Sequence, residues 1–198
     1  MALAQSNISI ELREISLKDR PKELLEISSK GTVPVFIINK NKILDESLEI
    51  MLWAISNSAS NWLEINQQKQ MNLISDNDKI FKYWLDRYKY HDRYKDNSFE
   101  NYQKECTKYL FKYNDMTKNK SFIMGNICQL VDISIFPFIR QCANVDIDWF
   151  ELNFIYLSKW LNRIISSELF TSIMNKYDIW NPLNENKIVK YSAINISN

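Results

Sequence analysis

Apolar and polar positions alternate near the start of the chain. Ile8, Ile10 and Leu12 are interleaved with Ser9, Glu11 and Arg13, a period of two that predicts a half-buried strand. Pro21 opens PKELLEIS, and proline with its fixed φ suits the first turn of a helix; Gly31 closes that segment. TVPVFII then reads as a short buried strand, Asn39–Lys42 as a polar turn and Ile43–Leu44 as a return strand, so 33–44 is predicted to be a hairpin. DESLEIMLWAI follows with Leu48, Met51, Leu52 and Ile55 at helical spacing and acids in its first turn. From about residue 68 the period is helical throughout. Ile80, Trp84, Leu85 and Tyr88 are expected to share one face, as are Tyr102, Cys106, Tyr109, Leu110 and Tyr113. Residues 129–143 are apolar nearly all round and predict a central buried helix. Further helices are expected around Leu157–Ile165 and Leu169–Met174, and 183–198 reads as an extended tail. The expected organisation is a small α/β domain (1–57), a linker (58–67), an all-α domain (68–180) and a tail (181–198).

Composition narrows the class. A chain of 198 residues with 45% hydrophobic and 25% charged residues can build a sizeable core without disulfides or metals. The net charge of +1 lacks the basic excess of a nucleic-acid binder. Three scattered cysteines and one histidine, His91, offer no Cys/His metal cluster, so no metal is expected. No run of eighteen apolar residues exists, and the N-terminus lacks a basic start followed by an apolar stretch; a cytoplasmic protein with no membrane partner is expected. The chain holds 26 Ile and 22 Asn but only two Gly. Where Gly survives, at Gly31 and Gly125, the backbone is expected to need it.

One constellation carries chemistry. Pro34 lies inside an otherwise strand-like run, where its missing N–H is tolerated at a bend or a cis peptide. The neighbouring Val33 backbone is then free to pair with an extended peptide as an added strand. Glu46 and Ser47 open a helix, which offers a hydroxyl, free N–H groups and a positive dipole end to a carboxylate, and a carboxylate to an ammonium. Together these groups would grip the amino-acid end of a small peptide.

The layout resembles the glutathione transferase family, nearest its omega-like and bacterial members. The similarity rests on VPV at 33–35 with ES at 46–47, on Gly125 followed by LVDISIFPFIRQ, and on Asp148-Trp149-Phe150 through KYDIW at 176–180. The resemblance implies a thioredoxin-like N-terminal domain followed by a helical-bundle C-terminal domain. It implies that Val33 pairs with the cysteinyl part of glutathione, that Pro34 is a cis-proline shaping that edge, and that Glu46 and Ser47 hold the γ-glutamyl end. Arg20 falls where omega-like members place a basic residue near the glycyl carboxylate. Asp132 matches the acid of the buried helix's capping box, with Gln129 where the family has Ser or Thr, so a weakened box is expected.

The family's catalytic Cys, Ser or Tyr follows a first strand that this sequence does not contain, so no catalytic residue is assigned and the expected one lies upstream of Met1. Three readings stay open: a start upstream of Met1, a truncated and catalytically inactive chain, or another segment such as 187–196 filling the gap. The resemblance implies a homodimer that binds glutathione as co-substrate and conjugates or exchanges it with small electrophiles or disulfides. The alternative is a non-catalytic binding or interaction protein of the same fold.

Overall fold

The computed structural model describes residues 1–191 and Ile196. Its contacts divide the chain into two units: Met1–Ser60 joined by 168–191 of the described residues, and Asn61–Ser167 joined by Ile196. The stretch 168–180, grouped by sequence with the helices, clusters with the N-terminal segment, and its backbone meets that segment at Glu14.

In the first unit, α1 (Ala2–Gln5) packs on α3 (Ser47–Ser56), and Ser6 Oγ donates to Ser58 Oγ at 3.1 Å beside them. Strand β1 is only Ile10–Glu11, shorter than the alternation of 8–13 suggests. Helix α2 (Lys22–Ile27) forms where the sequence predicts it, with Pro21 one position earlier than expected, at the extended N-cap (φ −65°) and not inside the first turn. The predicted hairpin forms from β2 (Phe36–Asn39) and β3 (Lys42–Leu44), antiparallel, with Phe36 opposite Leu44 and Ile37 opposite Ile43. Phe36 meets Trp53 of α3 with ring centroids 4.9 Å apart, which fastens the hairpin to the helix.

The tail is where the structure departs most from the sequence reading. Ile188–Val189 form β4, antiparallel to β1, with Ile10 opposite Val189 and Glu11 opposite Ile188. Leu12 N–H donates to Lys187 C=O at 2.8 Å, and Trp180 N–H to Glu14 C=O at 2.7 Å. Arg13 stacks over the Trp180 ring at 4.6 Å. Of the segment 187–196 considered as a filler, residues 187–189 therefore do pair with β1, while 192–195 lie outside the described residues. Among the described residues β1–β4 and β2–β3 remain separate two-stranded sheets.

The second unit is helical: α4 (Gln67–Asp76), a π-helical turn (Asn77–Phe81), α5 (Lys82–Lys89), α6 (Phe99–Thr117), α7 (Leu130–Ala143), α8 (Ile147–Asn153) and α9 (Ile155–Ile165). A short α10 (Glu168–Ser172) begins the returning stretch of the first unit. Phe81, Tyr88, Tyr102, Tyr113, Phe150, Phe154 and Trp160 fill the interior of the helical unit. Helix α7 is its apolar axis, as its sequence predicts. Its capping box is present despite Gln129: the Gln129 N–H donates to Asp132 Oδ2 at 3.0 Å. Gln129 does further work that Ser or Thr is too short for, since its Oε1 accepts from Gln70 Nε2 at 3.1 Å and Ile65 N–H at 3.3 Å.

Candidate functional site

The site grows from the hairpin and the start of α3, all within the first unit. Gly31 takes φ +57°, the left-handed conformation that a Cβ disfavours. This reversal ends the α2 segment and sends 32–35 out as an exposed strand-like approach to β2. The Val33–Pro34 peptide is cis, as the sequence suggests. Val33 is 48% exposed. Among the described residues no hydrogen bond satisfies its backbone groups.

Asp45, Glu46 and Ser47 stand at the other end of the hairpin. Glu46 is the N-cap of α3 in extended conformation, and its C=O accepts from Ile50 N–H at 3.1 Å. Ser47 is the first helical residue, so its N–H is one of those that a helix start leaves without an intrahelical partner. The Glu46 and Ser47 side chains are exposed, which leaves the dipole end open to a ligand.

A residue that the sequence did not single out joins the two segments. Lys30 Nζ donates to Glu46 Oε1 at 2.6 Å and to Asp45 Oδ1 at 3.1 Å, while Ser28 Oγ donates to Asp45 Oδ2 at 3.3 Å. The hydrogen bond it donates to Glu46, then that to Asp45, holds the Lys30 ammonium above its ordinary range. The Lys30 hydrogen bond chiefly holds the Asp45 carboxyl below its ordinary range, with Ser28 assisting. Arg20 is exposed and lies against the Gly31 backbone: a Cβ built there would stand 3.5 Å from an Arg20 guanidinium nitrogen. All five sequence candidates thus lie in the first unit, with Arg20 at Gly31, Val33 and Pro34 just beyond it in the chain, Glu46 tied to Lys30 and Ser47 next to Glu46 as the first residue of α3. Lys30 stands 16 positions from Glu46 and has no local signature; only the closed hairpin brings the two together.

The thiols do not supply a nucleophile. Cys106, Cys128 and Cys142 are all buried and unpaired by disulfides. A hydrogen bond with Cys142 and burial push the Cys106 thiol far up, and burial does the same to Cys128. His91 sits in a single 3₁₀ turn (His91–Arg93), its Nε2 3.2 Å from Asp92 Oδ1 and its ring edge-on to Phe99.

Comparison with known proteins gives the fold its relatives. Residues 1–62 match the family model described as the glutathione S-transferase N-terminal domain. Solved glutathione transferases superpose over most of the chain. One is a family member from Pseudomonas fluorescens, solved with two glutathione bound, at TM-score 0.72 and 17% identity over 86% of this chain and 83% of that one. Poplar glutathione transferase F1 gives 0.70 at 17% identity over 87% and 88%. BphK, a bacterial enzyme of the class, gives 0.70 at 16% over 86% and 88%. No curated protein matches the chain. The fold is therefore that of glutathione transferases, a thioredoxin-like N-terminal domain with a small sheet and a helical C-terminal domain.

Proposed function

We propose that the chain binds glutathione along 20–47 and conjugates or exchanges it with small electrophiles or disulfides. The observation that carries this reading is the match of residues 1–62 to the glutathione transferase N-terminal domain, within which the chain offers an unpaired backbone at Val33 and a carboxylate with a helix start at Glu46–Ser47. In this reading Val33 pairs its backbone with the cysteinyl residue of the tripeptide, as one strand pairs with another. Pro34 shapes that edge. Glu46 takes the γ-glutamyl ammonium, and the Ser47 N–H and hydroxyl take the α-carboxylate. Arg20, whose planar fork matches a carboxylate, takes the glycyl end. The omega-like or bacterial type is the subclass whose pattern the chain shares, through Arg20 and the VPV/ES pair.

The reading includes a homodimer in the cytoplasm. Among the described residues no helix is long and apolar enough to cross a membrane. Titration calorimetry with reduced glutathione tests binding, and 1-chloro-2,4-dinitrobenzene tests conjugation. Saturable binding is expected. Absence of saturable heat overturns the reading, whereas binding without turnover of either an electrophile or a mixed disulfide favours a non-catalytic glutathione-binding protein. Sedimentation equilibrium tests the dimer, and a single species at the 23.6 kDa monomer mass overturns it.

A further inference from the structure

The γ-glutamyl end of glutathione would bring an ammonium to a place where this chain already has one. Lys30 Nζ lies 2.6 Å from Glu46 Oε1 and 3.1 Å from Asp45 Oδ1, so one cation bridges the two carboxylates at the mouth of α3. Ser28 holds the far oxygen of Asp45, which fixes that carboxylate for the bridge. The Lys30 and Glu46 side chains are about half exposed or more, so the ammonium is not locked in by packing. A flexible four-carbon stem lets it swing out into water.

We propose that Lys30 is an internal competitor for the ligand's ammonium, and that it sets the affinity and selectivity of the site by occupying Glu46 and Asp45 until glutathione displaces it. This inference rests on the glutathione reading above. A ligand that must first open a closed pair binds with an apparent affinity reduced by the fraction of molecules in the open form. A ligand without an ammonium gains nothing from that opening. The competitor therefore acts on one end of the ligand only.

The test is titration calorimetry of wild type, Lys30→Met, Lys30→Gln and Lys30→Arg with two ligands: glutathione, and glutathione acetylated on its γ-glutamyl nitrogen. Thermal melts of the four proteins check folding, which the exposed position should leave unchanged. Lys30→Met and Lys30→Gln should bind glutathione about three- to tenfold more tightly, the scale of removing an exposed competing pair. Lys30→Arg, which keeps a cation able to bridge, should bind like wild type. The acetylated ligand should show no gain in any variant. Three results overturn the inference while leaving the glutathione reading intact. Equal binding by Lys30→Met makes the bridge irrelevant. Weaker binding by Lys30→Met makes Lys30 a partner of the ligand's carboxylate. An equal gain for both ligands means the effect does not pass through the ammonium. If no protein of the set binds glutathione, the functional reading fails, and the inference with it.

Discussion

Asp132 is the most constrained carboxylate of the helical unit. Its Oδ1 accepts from Ile123 N–H and Trp160 Nε1–H, each at 2.8 Å, and its Oδ2 from Gln129 N–H at 3.0 Å. Burial outweighs these donors and raises its pKa from 3.8 to about 6. The native state then holds this proton more tightly than the unfolded chain does. This group's contribution is fully present below about pH 4 and is lost as pH rises through about 6. Wild type should therefore lose roughly 2 kcal/mol relative to Asp132→Asn between those pH values, most of the difference that a pKa raised to about 6 makes at about 1.4 kcal/mol per tenfold difference in proton affinity. Urea unfolding of both proteins at pH 4, 5, 6 and 7 measures the difference, and parallel pH profiles would refute it. Gly31→Ala makes a second residue-scale case. A Cβ there meets Leu25 Cδ2 at 2.8 Å in a left-handed backbone, so a loss of about 1–2 kcal/mol is expected in thermal or urea unfolding. Glu46→Gln removes the charge offered to the ligand while keeping the cap's backbone, and should weaken glutathione binding about tenfold without lowering the melting temperature. The sequence exposed Asp132, Gly31 and Glu46 through local patterns of caps and turns. It did not expose Lys30, whose meaning depends on a hairpin closing. Nor did it show that asparagine stands in for scarce glycine: among the described residues, Asn7, Asn66 and Asn119 are the non-glycine residues at positive φ.

At the scale of elements, long amphipathic helices were legible and short pairings were not. Helix α6 buries Tyr102, Cys106, Leu110 and Tyr113 of the face that its spacing predicts, and leaves Tyr109 half-buried. The face predicted through Ile80, Trp84, Leu85 and Tyr88 holds only in part. Leu85 and Tyr88 are buried, whereas Ile80 is 43% exposed and Phe81 takes the inner position. The cause is the π-helical turn at 77–81, whose wider i→i+5 bonding shifts the register between α4 and α5. A constant 3.6 period cannot carry a face across such a turn. The alternation around β1 reads as a strand, but its pairing with β4 is only one of three readings that the sequence leaves open, because Ile188–Val189 is too short to show a period and the partners stand at opposite ends of the chain. It makes an element-scale prediction. The amides of Leu12 and Trp180, both donors to backbone carbonyls, should be protected in hydrogen exchange. Deleting 176–198 should abolish Leu12 protection while leaving the amides of α7 slow. Fast exchange at both positions in the full chain would contradict the pairing.

At the scale of the molecule, the order of signals mattered more than any one of them. VPV, ES and the apolar helix 130–143 are each weak alone, yet their sequence along the chain pointed to the fold that superposition then gave. The division into units was less legible, because the return of 168–191 to the N-terminal segment is carried by backbone bonds that leave little mark on composition. The candidate site is a property of one unit, since the hairpin, the left-handed Gly31 and the start of α3 together place Val33, Glu46 and Lys30. Glutathione binding at that site is therefore open to a direct measurement. Two-dimensional ¹H–¹⁵N spectra of the labelled protein, titrated with reduced glutathione, report every backbone amide at once. Saturable shifts concentrated at 30–35 and 45–48 are expected, with Val33 and Ser47 among the largest. Shifts confined to the helical unit, or none at saturating glutathione, would contradict the assignment.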